Sequence, residues 1–318
     1  MPSYSGIWTL SQQFQAVGQG LWPSPPLLPE TLAIFALGLA SSTPSTTRNK
    51  YTYAGDVVSA GTASTSASYN SSAAGNSTVG IFALGNMSTI SVTSARDKYT
   101  YSSDVVSAGG AATAASSYGS AAGNSTVGIF ALGRNACSTA LTTRNKYTYS
   151  GDVVSAGSAA TTAAIAGSAT GNSTRGVFAL GLNACFVRTT TRDKYTYSGC
   201  VVASGGAATA ASYNSSAAGN STVGIFALGC TAGGSGSTIR DKYTYAGCVV
   251  GAATAASCAG AAGAAAGNST VGIFALGSNT TTRNKYTYSG CVVAAGGAAT
   301  AASYQGSAAS NGTSGVNM

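Results

Sequence analysis

Val127-Gly-Ile-Phe-Ala-Leu-Gly133, a polar loop, Arg144-Asn-Lys-Tyr-Thr-Tyr-Ser-Gly-Asp152, Val153-Val154, and a small-residue stretch closing at Gly171-Asn172 form one copy of a unit that the chain repeats. Phe-Ala-Leu-Gly ends at Gly38, Gly85, Gly133, Gly181, Gly229 and Gly277, and Lys-Tyr-Thr-Tyr begins at Lys50, Lys98, Lys146, Lys194, Lys242 and Lys285. The interval is 48 residues, with one of 47 and one of 43. A unit this short cannot bury an apolar face alone, so neighbouring units must cover one another.

Each unit reads as four short strands. Val127–Gly133 is an apolar run ended by glycine, suited to a buried strand. In Lys146–Ser150, Tyr147 and Tyr149 fall on one face and Thr148 on the other. Gly151-Asp152 signals a turn into Val153-Val154. The segment before Gly171-Asn172 lacks the amphipathic stripe of a helix and suits an inner strand near a crowded axis. Four strands per unit, repeated six times, imply an all-β, six-bladed β-propeller. The repeats begin mid-unit at Ile34 and stop after Ala301–Ser310, so pairing of the N- and C-terminal strands would close the ring and remove free sheet edges.

The strand order resembles the kelch pattern over residues 31–310, read here as SAAGN-STVG-IFALG, loop, RNKYTYSGD, VV. It departs from that family in having one glycine after IFAL and no outer-strand Trp. The expected division is a leader at 1–32 and the propeller at 33–318.

Only 7% of residues are charged, and the net charge is +8. Twelve of the fifteen basic residues are the Arg and Lys of R-x-K before each YTY. Spread around the molecule, they read as solvated strand-edge charges that discourage edge pairing and not as a nucleic-acid patch. There is no His, which excludes Ser-His-Asp and Cys-His catalysis and His metal ligands. Six of the seven acidic residues recur as Asp56, Asp104 and Asp152 at one repeat position and Asp97, Asp193 and Asp241 at another. A convergent acid–base pair is therefore not expected, nor is a catalytic site, a cofactor or a metal. No basic n-region with a long apolar core stands in residues 1–20.

Cys137, Cys185 and Cys230 lie in the loops after Phe-Ala-Leu-Gly, while Cys200, Cys248 and Cys291 replace the turn Asp. Pairing each loop Cys with the turn Cys of the next unit gives 137–200, 185–248 and 230–291 and leaves Cys258 over. Against it, loop and turn lie on opposite faces of a simple propeller, so free thiols and intermolecular links stand as alternatives. Asn76, Asn124, Asn172, Asn220 and Asn268 sit in repeated GNST sequons, which read as hairpin turns before glycosylation sites. The Tyr pairs read as packing between blades rather than as sugar platforms. The loops after Phe-Ala-Leu-Gly vary most between units and are where recognition is expected.

Trp8, Phe14 and Trp22 lie in the leader, where Gly6-Ile-Trp-Thr-Leu and Gly20-Leu-Trp-Pro resemble a segment at the start of bacteriophage virion proteins. The repeats are also similar to ones in phage tail and fibre proteins. This resemblance implies a non-enzymatic virion component, tail fibre or surface decoration, docked to other subunits through the leader in an oligomeric assembly, with host surface glycans as ligands and no nucleic-acid partner; packing of the leader against the propeller's own face stands as the alternative to docking. The alternative is an extracellular or cell-surface bacterial adhesin.

Overall fold

The computed structural model describes residues 31–87, 92–232 and 234–312. Trp8, Phe14, Trp22 and most of the leader lie outside them. Six four-stranded antiparallel sheets carry the described residues, with no α-helix among them. In chain order the third sheet, for example, consists of Ser120–Gly123, Val127–Ala131, Arg144–Thr148 and Val153–Gly157. The first sheet is assembled from both ends of the chain. Ser307–Ser310 pairs with Leu32–Ala36, which pairs in turn with Arg48–Thr52 and then Val57–Gly61. Leu32 N–H donates to Asn311 Oδ1 at 2.9 Å and Asn311 N–H to Leu32 O at 3.0 Å, extending this pairing by one more rung.

Packing explains why the second strand is apolar at every position except Arg175 of the fourth sheet. Its successive side chains point to opposite faces, and a neighbouring sheet covers each face. In the second sheet, Ile81 packs with Phe130, Tyr147 and Tyr149 of the third. Adjacent Phe82 packs with Ile34 and Ala309 of the first. The inner strands carry only small residues because they approach one another most closely. Val153–Gly157 and its counterparts lie outermost and are half exposed.

The Tyr pairs pack between sheets, as expected: Tyr147 and Tyr149 are buried. Tyr149 lies over the cross-strand glycine pair Gly123↔Gly128, where a Cβ would stand 2.5 and 2.9 Å from its hydroxyl. The two glycines of each inner hairpin thus exist to admit a tyrosine.

The arginines differ from expectation. Arg48, Arg96, Arg144, Arg192, Arg240 and Arg283 are among the most deeply buried side chains, each no more than 2% exposed. Each guanidinium lies over a phenylalanine of the next sheet: Arg48 over Phe82 at 4.6 Å, Arg144 over Phe178 at 4.6 Å, and Arg283 over Phe35 at 4.5 Å. Each also donates to the residue that follows the next sheet's arginine. Three of these are ion pairs, Arg48–Asp97, Arg144–Asp193 and Arg192–Asp241, at 2.7–2.8 Å. In the other three the acceptor is asparagine, at Asn145, Asn284 and Asn49. A charge at a strand start reads as solvated only when no neighbour supplies a ring face and an acceptor. Here the adjacent unit supplies both.

At the axis, six backbone bonds of 2.6–3.0 Å form a circuit. Asn70 N–H donates to Gln305 O, Tyr118 to Asn70, Ala166 to Tyr118, Asn214 to Ala166, Ala262 to Asn214, and Gln305 to Ala262. All six residues have φ between +51° and +58°, a left-handed conformation costly for non-glycine residues and held here by surrounding pairing. The repeated glycine of Phe-Ala-Leu-Gly packs against this circuit. At Gly133, φ is +74° and a Cβ would stand 2.3 Å from Ser117 O, so any side chain there is strained.

Candidate recognition face and the turn sites

Strands alternate in direction, so each sheet presents two kinds of end. One end carries the GNST hairpins and the turns at Asp56, Asp104, Asp152, Cys200, Cys248 and Cys291. The opposite end carries the variable loops and the axial circuit.

At the turn end, the asparagine of GNST does more than close a hairpin. Asn124 Oδ1 accepts from the N–H groups of Thr126 and Val127 at 3.0 and 2.9 Å, and its Nδ2 donates to Ser173 O in the next sheet at 3.0 Å. The amide that glycosylation would modify is therefore occupied by an inter-sheet bond, and Asn76, Asn172 and Asn220 repeat it.

The turn Asp residues each accept from a tyrosine and a lysine, and Asp104 also from Thr62 N–H at 3.0 Å. Asp152 accepts from Tyr147 Oη of its own sheet at 2.8 Å and from Lys98 Nζ of the preceding sheet at 2.8 Å. Asp104 does so with Tyr99 and Lys50, and Asp56 with Tyr51 and Lys285. Burial works against the charge on Asp104 and Asp152, yet hydrogen bonds outweigh it and hold both below the usual carboxylate range, from Tyr99, Thr62 and Lys50 at Asp104 and from Lys98 and Tyr147 at Asp152. Burial and the bond to the carboxylate push the Tyr51, Tyr99 and Tyr147 hydroxyls well above 10.

Cys200, Cys248 and Cys291 occupy the same position with the same backbone, at φ 50°, 54° and 51°. None of the expected pairs 137–200, 185–248 and 230–291 is formed, and all seven cysteines are free thiols. The reason is topological: Cys137, Cys185 and Cys230 follow a second strand, whereas Cys200, Cys248 and Cys291 follow a third, so the members of each pair lie at opposite ends of their sheets. Cys137, Cys185 and Cys258 are exposed and Cys230 is buried.

At the loop end, the structure gathers residues that lie outside the repeat. Arg134 stacks over Tyr118 at 4.3 Å and Arg188 over Tyr213 at 5.3 Å. Asn135 Oδ1 accepts from the N–H groups of Cys137 and Thr139, and Asn183 Oδ1 from those of Cys185 and Val187, at 2.9–3.0 Å. These caps hold the two loop tips in one shape and present Phe186 and Val187 at 58% and 57% exposure. Beside them the axial mouth is a cavity of about 50 Å³ bordered by Asn70, Tyr118, Asn214 and Gln305. A second of about 50 Å³ lies among the inner strands and is lined almost wholly by Ala and Gly. Both are far smaller than the ~300–1,000 Å³ of small-molecule pockets. The variable loops were legible from sequence as the place to look. Tyr118 and Tyr213 were not, because they sit in the small-residue stretch and acquire their arginines only in three dimensions.

No family model and no curated protein matches the chain. Solved structures do. The structure of YjhT aligns with a TM-score of 0.61 at 10% identity, covering 76% of this chain and 87% of that one. TolB from Acinetobacter baumannii aligns at 0.58 and 11% identity, covering 94% and 71%. The chain has a β-propeller fold.

Proposed function

We infer that the chain is a non-enzymatic display scaffold: a closed, six-bladed, kelch-like propeller whose variable loops contact a surface ligand, carried on a bacteriophage virion as a tail-fibre or decorating component and docked through its leader, with Trp8, Phe14 and Trp22 as anchors. Pairing of Ser307–Ser310 with Leu32–Ala36 and the axial circuit support ring closure. The observation that carries the functional reading is a division of labour. The repeated polar residues are engaged between sheets by the arginine and lysine contacts, while Arg134, Arg188, Phe186 and Val187, which depart from the repeat, stand together on the loop face. Recognition by such a face uses cation-stacked aromatics and exposed apolar tips, a chemistry suited to glycan rings and their polar rims.

The test has two arms. Binding to a panel of host surface glycans is measured for the intact chain and for a variant with the 134–140 and 183–188 loops replaced by Gly-Ser. Loss of binding supports the loop face, and retained binding refutes it. Antibody labelling of purified particles separates virion from adhesin: label on phage tails or capsids supports the first reading, and label confined to the bacterial surface supports the second.

A further inference from the structure

Three of the six turn sites are built for an anionic oxygen group that their residue does not provide. Lys194 Nζ lies 3.9 Å from Cys248 Sγ, and Lys242 Nζ 3.9 Å from Cys291 Sγ. The corresponding lysine-to-Asp distances are 2.8–3.0 Å. Lys146 precedes Cys200 by the same interval as Lys98 precedes Asp152. The second donor is also left over. Tyr195, Tyr243 and Tyr286 are fully buried, and their hydroxyls stand beside these thiols and beside backbone groups of the preceding sheet, at Ser158, Gly206 and Thr254, without a well-formed hydrogen bond to either. A buried hydroxyl without a partner costs about 1–3 kcal/mol.

We propose that Cys200, Cys248 and Cys291 are modification sites at which peroxide converts the thiol to a sulfinate, and that the waiting lysine and tyrosine hold the product as they hold aspartate in the other three sheets. In the first step sulfur attacks hydrogen peroxide, an S–O bond forms, the O–O bond breaks, and water leaves, giving Cys–SOH. A second peroxide adds a second oxygen in the same way and releases water, giving Cys–SO₂H, which ionises to Cys–SO₂⁻. Sulfur loses two electrons in each step, and peroxide is reduced to water. The sulfinate carries two oxygens and one negative charge on the atom attached to Cβ, the arrangement of an aspartate. An oxygen placed on sulfur towards Lys194 or Lys242 closes the 3.9 Å gap. Condensation to a disulfide, the usual fate of Cys–SOH near another thiol, is disfavoured because these cysteines sit in different sheets and Cys137, Cys185 and Cys230 lie at the opposite end.

The native chain is titrated with hydrogen peroxide and mapped by peptide mass spectrometry. Cys200, Cys248 and Cys291 are expected to gain two oxygens and remain there, and the oxidised chain to melt at a higher temperature than the reduced one. In Lys194→Met, the two-oxygen product at Cys248 is expected to fall by about fivefold, while Cys291, held by Lys242, keeps its yield and reports that the fold is intact. Cys248→Asp in the reduced protein reproduces the rise in melting temperature without peroxide. Equal product at Cys248 with and without Lys194, or a lower melting temperature for the oxidised chain and for Cys248→Asp, overturns the proposal.

Discussion

Removing one arginine should cost very different amounts depending on whether its acceptor is Asp or Asn. Arg144 and Arg96 make the same surroundings in almost every respect. Their guanidinia stand 4.6 and 4.5 Å from Phe178 and Phe130, and each donates from Nη1 to a carbonyl, Ala159 or Gly110, at 3.3 Å. They differ in the acceptor, Asp193 for Arg144 and Asn145 for Arg96. Truncating Arg144 to Ala strands a buried carboxylate that keeps only the Thr161 N–H and hydroxyl, and breaking a buried pair in this way costs about 3–5 kcal/mol. Truncating Arg96 strands no charge. Asn145 still accepts from Thr113 N–H and donates to Thr113 Oγ1, so the loss is the ring contact, the packing and one bond to a cation, about 2–3 kcal/mol. The ring and carbonyl terms cancel in the comparison. Arg144→Ala should therefore be less stable than Arg96→Ala by about 1–2 kcal/mol in urea unfolding at neutral pH. Adding Asp193→Asn to Arg144→Ala should recover most of that gap, since the chain already uses Asn at this position in three of its six sheets. Equal destabilisation by the two truncations, with no recovery in the double variant, would refute the claim that the acceptor's charge is compensated across sheets.

Other outcomes follow from the same geometry. Stability should fall as pH rises above about 10. Unfolded tyrosines ionise there, whereas Tyr51, Tyr99 and Tyr147 stay protonated, held up by burial and their Asp partners, and Tyr195 does not ionise until about 12. Burial pushes Arg96, Arg240 and Arg283 down to about 10, and that acts in the opposite direction. The shifted tyrosines are more numerous, so thermal melts should show a net decline. Gly133→Ala should lose about 1–3 kcal/mol, because φ +74° and the 2.3 Å approach to Ser117 O both oppose a Cβ. Gly151→Ala, at φ +84° with no atom nearer than 3.7 Å, should lose only about 1 kcal/mol by the same denaturation assay. Asn124→Ala removes both the turn acceptor and the bond to Ser173 O, and should cost about 1–2 kcal/mol.

Much of the architecture was legible because the repeat states it six times. Alternation in Lys146-Tyr-Thr-Tyr placed the tyrosines on a buried face, and the half-units at each end placed Ala301–Ser310 beside Ile34. The arginines were misread because their partner stands in the next unit, where no local pattern connects Arg144 to Asp193. A signal was present nonetheless: the residue after each of the six R-x-K arginines is Asn or Asp, which is what a neighbouring donor requires and a solvated edge does not. The cysteine pairing foundered on strand direction, which the count of cysteines does not encode. The same repeat alignment that misled the pairing also shows cysteine standing where Asp accepts from lysine, and that substitution marks the sites most worth probing.

Ring closure is the claim on which the account rests, and amide hydrogen exchange of the native chain tests it most directly. The seam peptide 303–312 should exchange as slowly as its equivalents, such as 116–124, because Ser307–Ser310 is paired with Leu32–Ala36 and Gln305 belongs to the axial circuit. Exchange of 303–312 at the rate of an unpaired chain, with the other inner strands protected, would contradict it.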